Sequence, residues 1–173
     1  MRDANMDFRL ATMYDLPQIK AVYREIVQDM AEKGIDIWDE VYPCDFFEKD
    51  INRKKMYVLM DRETVAAGFI LCDDNAGSES VRWKSVTCRA LYLDRFGVNV
   101  NYARKGIGSM MLKKAEETAK KLCAESLRLF VVDINLPAIK LYEKNGYSKA
   151  DGIYAEVIDD ALTLHEYGYE KHL

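Results

Sequence analysis

Histidine is almost missing from this chain of 173 residues: there are two, His165 and His172. The four cysteines, Cys44, Cys72, Cys88 and Cys123, lie far apart and form no C-x-x-C pair. No zinc spacing can be assembled from these residues, and no metal is expected. The cysteines read instead as small buried hydrophobes of a reducing compartment. An excess of basic charge is also lacking. The 25 lysines and arginines are outnumbered by 29 acids, for a net charge of −4, which argues against a chain that coats nucleic acid. No apolar run approaches the roughly 18 residues of a membrane span. The opening MRDANMDFRL has no apolar core of signal-peptide length. A soluble, cytoplasmic protein without membrane partners is the expectation. No repeat or low-complexity segment breaks the chain, so residues 1–173 are expected to form one domain.

What the sequence does contain is an alternation of periodicities. A short strand near Phe8–Ala11 leads to Asp15-Leu16-Pro17, an expected N-cap with proline in the first turn. Ile19, Val22, Tyr23, Ile26, Val27 and Met30 then recur at helical spacing up to Gly34. Asp45-Phe46-Phe47-Glu48 reads as a capping box opening a second helix. Met56–Met60 and Val65–Cys72 read as a hairpin, and the polar stretch from Asp73 to Ser80 as a hairpin loop. Further strands are expected over Cys88–Val98, Leu127–Val132, Ser148–Val157 and Ala161–Glu170. Helices are expected over Ile107–Cys123, with Ile107, Met111, Ala115, Ala119 and Leu122 inward, and over Pro137–Lys144. The strand–helix–strand unit in the middle must be parallel, so the class is α/β (α+β) with a mixed sheet.

The stretch NVNYARKGIGSMML, Asn99 to Leu112, carries two glycines where a strand turns into a helix. At that junction backbone N–H groups lack helical partners and the helix dipole is positive. Small residues there let a phosphate approach the backbone, and Arg104 and Lys105 add positive charge. The residues imply an anion site for a phosphorylated cofactor; close strand–helix packing is the simpler use of the same glycines. A P-loop is excluded because G-x-x-x-x-G-K-[ST] is absent. The dinucleotide fingerprint is disfavoured because Met111 stands where its third glycine belongs.

The segment Val98–Gly108 resembles the acyl-CoA motif of the GNAT superfamily of N-acetyltransferases, [QR]-x-x-G-x-[GA]. The segment from Asn135 to Tyr147, NLPAIKLYEKNGY, is similar to that family's N-x-x-A-x-x-x-Y-x-x-x-G-[FY]. One departure is Ala103, where the family has Gln or Arg. The resemblance implies the GNAT fold, a mixed sheet of about seven strands flanked by about four helices. It also implies acetyl-CoA as co-substrate and direct acetyl transfer to an amine acceptor, with a homodimer as one open arrangement. The CoA pyrophosphate would rest on the backbone of Lys105, Gly106, Ile107, Gly108 and Ser109, with Arg104 supplying charge. The backbone at Val98 and Val100 would hold the pantetheine arm, and Asn135 would contact the cofactor while capping its helix.

By the same resemblance the Tyr142 phenol protonates the leaving thiolate; a phenol near pKa 10 and a thiol near 8.5 suit that transfer. The acceptor amine must lose a proton, for which Asp94 is the first candidate, Asp133 the second and His165 a third. Trp38, beside Asp36 and Asp39, and Trp83, in the segment Val81–Lys84, are the candidates for bordering a cationic acceptor. A non-catalytic acyl-CoA-binding module, and a family member using another acyl donor, stay open as alternatives.

Overall fold

A computed structural model describes residues 6–173; what was expected of the first five residues lies outside that range. In chain order the elements are β1 (Met6–Leu10), α1 (Leu16–Glu32), a 3-10 turn (Cys44–Phe46), α2 (Phe47–Asn52), β2 (Met56–Asp61), β3 (Thr64–Cys72), β4 (Val81–Arg82) and β5 (Ala90–Val98). A second 3-10 turn (Val100–Tyr102), α3 (Ile107–Lys121), β6 (Ser126–Val132), α4 (Leu136–Lys144), β7 (Ser148–Lys149), β8 (Asp151–Gly152), β9 (Tyr154–Val157) and β10 (Thr163–His172) complete it. The main sheet has eight strands in the order β1-β2-β3-β5-β6-β10-β7, with β9 attached to β10, and β4 and β8 form a small second sheet. Strands β5 and β6 are parallel, as a helical crossover requires, while β1–β2, β2–β3 and β6–β10 are antiparallel. The mixed sheet and its four α-helices match the fold class read from the sequence. Among the described residues no helix is long and apolar enough to cross a membrane.

The chain divides into two compact units, Met1–Ile70 with Arg95–Lys114, and Leu71–Asp94 with Ala115–Leu173. In the first unit α1 turns Ile19, Val22, Tyr23 and Ile26 inward, the face that the helical spacing marks. Phe8, Tyr57 and Phe69 stack across β1, β2 and β3 with centroids 5.4–5.8 Å apart. The helix starts differ from expectation. Asp15 stands at the N-cap of α1 but makes no capping bond. Its carboxylate instead accepts from both Arg9 terminal nitrogens (2.8 and 2.9 Å) and from the Thr12 N–H and hydroxyl, tying the end of β1 to the helix. The expected capping box at Asp45–Glu48 is not formed either. The chain enters α2 through the 3-10 turn, with Phe46 at the N-cap and no side-chain cap.

In the second unit β10 pairs with β6 over Glu166–His172. The expected long strand over Ser148–Val157 is three short pieces: β7 on β10, β8 on β4, and β9 back on β10. Gly152 makes the break, with φ +103° and no room for a Cβ, which would lie 2.8 Å from the Ser80 carbonyl oxygen. Because β4 pairs with β8, the Asp73–Ser80 stretch is a connection between sheets and not a hairpin loop. Leu122, expected on the inward face of α3, lies beyond the helix end and is 45% exposed.

The Arg9 guanidinium holds the Asp15 carboxyl well below the usual carboxylate range, at about 2. The stability it contributes is present above about pH 4 and is lost as pH falls through about 2. Asp15→Asn should lower Tm at pH 7 by about 2–6 °C, the effect of losing charge-assisted hydrogen bonds. It should also flatten the acid limb of Tm between about pH 4 and 2, measured by calorimetry in parallel with the unsubstituted chain.

Candidate active site

The loop between β5 and α3 is braced by its own polar residues. Asn99 is buried; its Nδ2 donates to the Val65 carbonyl (2.8 Å) and its Oδ1 accepts from the Asn101 N–H (3.0 Å). The Tyr102 hydroxyl donates to Asp61 (2.9 Å). Sequence reasoning passed over both residues, because their partners lie on β2 and β3, far back in the chain. Past Tyr102 the backbone turns through Arg104 (φ +59°) and Gly106 (φ +79°). Arg104 is exposed, while the Lys105 ammonium folds back onto the Asn101 carbonyl (2.7 Å) and over the Tyr102 ring (5.2 Å).

The first helical bond of α3 is donated by Met110 to the Gly106 carbonyl (3.1 Å). The N–H groups of Ile107, Gly108 and Ser109 precede that bond, at the positive end of the helix dipole. A Cβ at Gly106 would have nothing within 4 Å, so the space over the loop is open. Open space, helix N–H groups and two cationic side chains together fit a phosphate-bearing ligand. Val98 ends β5 and Val100 begins the 3-10 turn, both half-buried.

Trp38 lies in the same unit, half-buried, stacked on Tyr23 (5.8 Å) and edge-on to Tyr42 (6.3 Å). The cation over Tyr42 is the chain's own Arg95, 5.2 Å from the ring centroid. Trp83 is in a comparable state in the other unit. It is 9% exposed and packs with Val81, Tyr92 and Ala150. Its indole N–H bonds the Ser78 carbonyl (2.9 Å), and Arg128 lies 4.6 Å from its ring. Arg128 also pairs with buried Glu170 (3.5 Å), donates to the Ser85 carbonyl and to the Tyr92 hydroxyl (3.4 Å). Trp83, expected to face a cationic acceptor, is buried here with an internal guanidinium over its ring.

Asn135 caps α4, its Oδ1 accepting from the Ala138 N–H (3.4 Å). Two turns on, Tyr142 is buried among Tyr147 (6.0 Å) and Tyr169 (6.5 Å). Desolvation, and then the negative charge of Asp94, push its phenol far above the ordinary value. The phenol thus stays protonated throughout the working pH range, and the near match to a thiol assumed from free values does not hold. Asp94 also acts on Glu166, which sequence reasoning missed. Burial, a hydrogen bond with Glu156 and the charges of Glu156 and Asp94 raise the Glu166 carboxyl to about 8. The β9–β10 register sets Leu164 against Glu156 and Glu166 against Tyr154, making the two glutamates diagonal neighbours. Only knowledge of the turn over Ile158–Leu162 would have placed them together. His165, on β10, is exposed, and its carbonyl accepts the Asp133 N–H (2.9 Å). Among the described residues no group of three or more His, Cys, Asp or Glu is placed to hold a metal ion.

Three comparisons bear on this arrangement. The model of the acetyltransferase (GNAT) family matches residues 19–147. The chain is 26% identical over 145 residues to YwnH of Bacillus subtilis, named as a candidate phosphinothricin acetyltransferase, covering 83% of this chain and 85% of that one. A GNAT-family acetyltransferase structure from Streptococcus agalactiae aligns with a TM-score of 0.83 at 20% identity, over 98% of this chain and 96% of that one. The NAA60 structure of Arabidopsis thaliana in complex with acetyl-CoA aligns with a TM-score of 0.70 at 17% identity, over 97% and 99%.

Between about pH 4.5 and 8 the folded chain holds a proton on Glu166 that the unfolded chain has released. Stability should therefore fall as pH rises across that window and level off above it. Glu166→Gln should flatten Tm between about pH 5 and 8 and raise it at pH 8. An unchanged slope in thermal melts would remove Glu166 as its source.

Proposed function

The chain belongs to the acetyltransferase (GNAT) family, and on that premise we propose that it moves an acetyl group from acetyl-CoA to a primary amine of a small molecule or peptide by direct transfer. Acetyl-CoA, when bound, supplies the thioester. Its pyrophosphate would take the N–H groups of Lys105, Gly106, Ile107, Gly108 and Ser109, with Arg104 and Lys105 balancing charge. The backbone of Val98 and Val100 would hold the pantetheine arm, and Asn135 would contact the cofactor from its cap position.

Starting from the ammonium, the transfer forms a nitrogen–carbon bond, breaks a carbon–sulfur bond and takes two protons off nitrogen; the sulfur gains one proton in exchange and one is released to solvent. Tyr142 is assigned the proton at the sulfur. A phenol that stays protonated throughout the working range donates its hydrogen bond to the sulfur as negative charge develops there. Asp94 is assigned the amine's proton. A free alkyl ammonium with pKa near 10.4 is neutral in only about one molecule in a few thousand at pH 7, so an acceptor for that proton is required. The proton held by Glu166 and Glu156 keeps one negative charge out of Asp94's surroundings at neutral pH. Trp38 borders the acceptor in this reading.

The observation that carries the proposal is the placement of Tyr142, buried on α4 two turns after the Asn135 cap, at the tyrosine position of the family's second motif. A module that only binds acyl-CoA has no need of a tyrosine there. The decisive experiment is a screen of primary amines that follows free CoA thiol release.

Two substitutions test the assignments. Gly108→Val should weaken acetyl-CoA binding at least 10-fold in calorimetry, because a branched side chain enters the phosphate's space. Unchanged affinity with an intact fold would sink the loop assignment. Tyr142→Phe should lower kcat about 10- to 1,000-fold with little change in acetyl-CoA affinity or Tm. The high-pH limb of the profile should stay where it was, since this phenol does not ionise there. Full kcat in the phenylalanine variant would reduce Tyr142 to a packing residue.

A further inference from the structure

Arg95 stands inside β5 with φ +48°, a left-handed conformation that side-chain-bearing residues rarely adopt. Glycine would meet that backbone requirement without strain, so the arginine side chain must return something at this position. Its guanidinium lies over two rings that meet edge to face (centroids 5.4 Å apart), 5.2 Å from the Tyr42 centroid and 5.1 Å from that of Phe46. It also pairs with Asp50 at 3.6 Å, and the two side chains are only 11% and 12% exposed. Its carbonyl, redirected by the left-handed turn, accepts the Tyr23 hydroxyl at 2.6 Å.

These contacts close a circuit. Tyr23 stacks on Trp38, Trp38 meets the edge of Tyr42, Tyr42 underlies Arg95, and Arg95 returns through its carbonyl to Tyr23. The stretch so enclosed, from Gly34 to the 3-10 turn at Cys44, contains no helix or strand. Hydrogen bonds within it are local: Ile37 N–H donates to the Ile35 carbonyl, Asp39 N–H to the Tyr42 carbonyl, and the Asp39 carboxylate accepts from the Val41 and Tyr42 N–H groups; Ile35 N–H and the Val41 carbonyl tie its ends to Met30 and Asp45. Without regular structure, the stretch depends on ring contacts and on Arg95 for its placement.

We propose that Arg95 is the positioning residue that fixes Trp38 and the stretch around it, filling in cis the aromatic box that would otherwise take a cation. This rests on the reading of Trp38 as a border of the acceptor site and adds a consequence to it. The acceptor's ammonium does not enter the Tyr42–Phe46 box, and acceptor affinity depends on Arg95 without contact between the two. The planar guanidinium matters more than its charge, because a flat cation lies over the edge-packed Tyr42 and Phe46 rings while reaching a carboxylate.

The test compares Arg95→Lys with Arg95→Gly. Trp38 is read by fluorescence in chains also carrying Trp83→Phe, so that it is the single tryptophan. Both substitutions should raise acrylamide quenching of Trp38 at least 2-fold. The glycine variant should do so although it relieves the backbone strain and keeps Tm near the parent value. In chains with both tryptophans, kinetics use acetyl-CoA with L-ornithine, spermidine and n-butylamine. The KM of whichever amine is turned over should rise about 10-fold, with kcat and the acetyl-CoA KM within about 3-fold.

Unchanged Trp38 quenching in both variants would overturn the proposal, as would acceptor KM, acetyl-CoA KM and kcat shifting together. Failure of acetyl-CoA to bind the unsubstituted chain in calorimetry would instead refute the acetyltransferase reading. The fluorescence measurement, made without substrate, decides the role of Arg95 in either event.

Discussion

The Tyr23 hydroxyl holds β5 where its backbone leaves the pleat. Buried completely on α1, it donates to the Arg95 carbonyl at 2.6 Å and reaches the Gly68 carbonyl of β3 at 3.0 Å. A left-handed residue inside a strand frees backbone groups that the ladder would have paired, and a buried carbonyl left without a donor costs about 1–3 kcal/mol. Tyr23 supplies that donor. In doing so it sets where the Arg95 side chain emerges, and with it the aromatic contacts of Trp38, Tyr42 and Phe46. Downstream, Asn99 repeats the device: a buried amide bonds β3 and the loop at once, so the chain reaches Gly106 in a defined path. The start of α3 therefore owes its geometry to two polar groups buried earlier in the unit.

The second unit is organised by charges withdrawn from water. Arg128 and Glu170 are both about as buried as Tyr142 and form an ion pair, with Trp83, Tyr92 and Ser85 completing the shell of the guanidinium. Such pairs add little net stability, but losing one partner strands the other, at about 3–5 kcal/mol. Around Asp94 the same low-polarity surroundings act on proton affinity. The phenol of Tyr142 and the carboxyl of Glu166 are both driven toward their neutral forms, chiefly by burial and then by neighbouring negative charge. A buried phenol and a proton-holding acid pair thus share one carboxylate neighbour.

Much of this was legible in the residues. Helical spacing on α1, the β2–β3 hairpin, the parallel β5–α3–β6 unit, and the glycine-bearing helix start follow from short-range pattern. Local rules decide such features: the period of apolar residues, the conformational freedom of glycine and the chirality of crossovers. The helix cap expected of Asp15 does not form because side-chain acceptors have more than one donor in reach, and that of Asp45 does not form because a 3-10 turn leads into α2. Arg9 and Thr12 took Asp15's oxygens before the helix N–H groups could. The strand after Asn145 was misjudged because Gly152 and a second small sheet interrupt it, and neither shows in a run of β-forming residues.

The sequence by itself determined the class of fold, the order of its elements, the glycine-bearing helix start at Gly106 and Gly108, and the family through its two motifs. These depend on neighbours a few residues apart. The tertiary structure alone decided which aromatic rings are already occupied by Arg95 and Arg128, which carboxyls share a proton, and how firmly the Tyr142 phenol keeps its own. Each of these depends on burial and on partners tens of residues away, and desolvation has no signature in a linear pattern until the chain has folded.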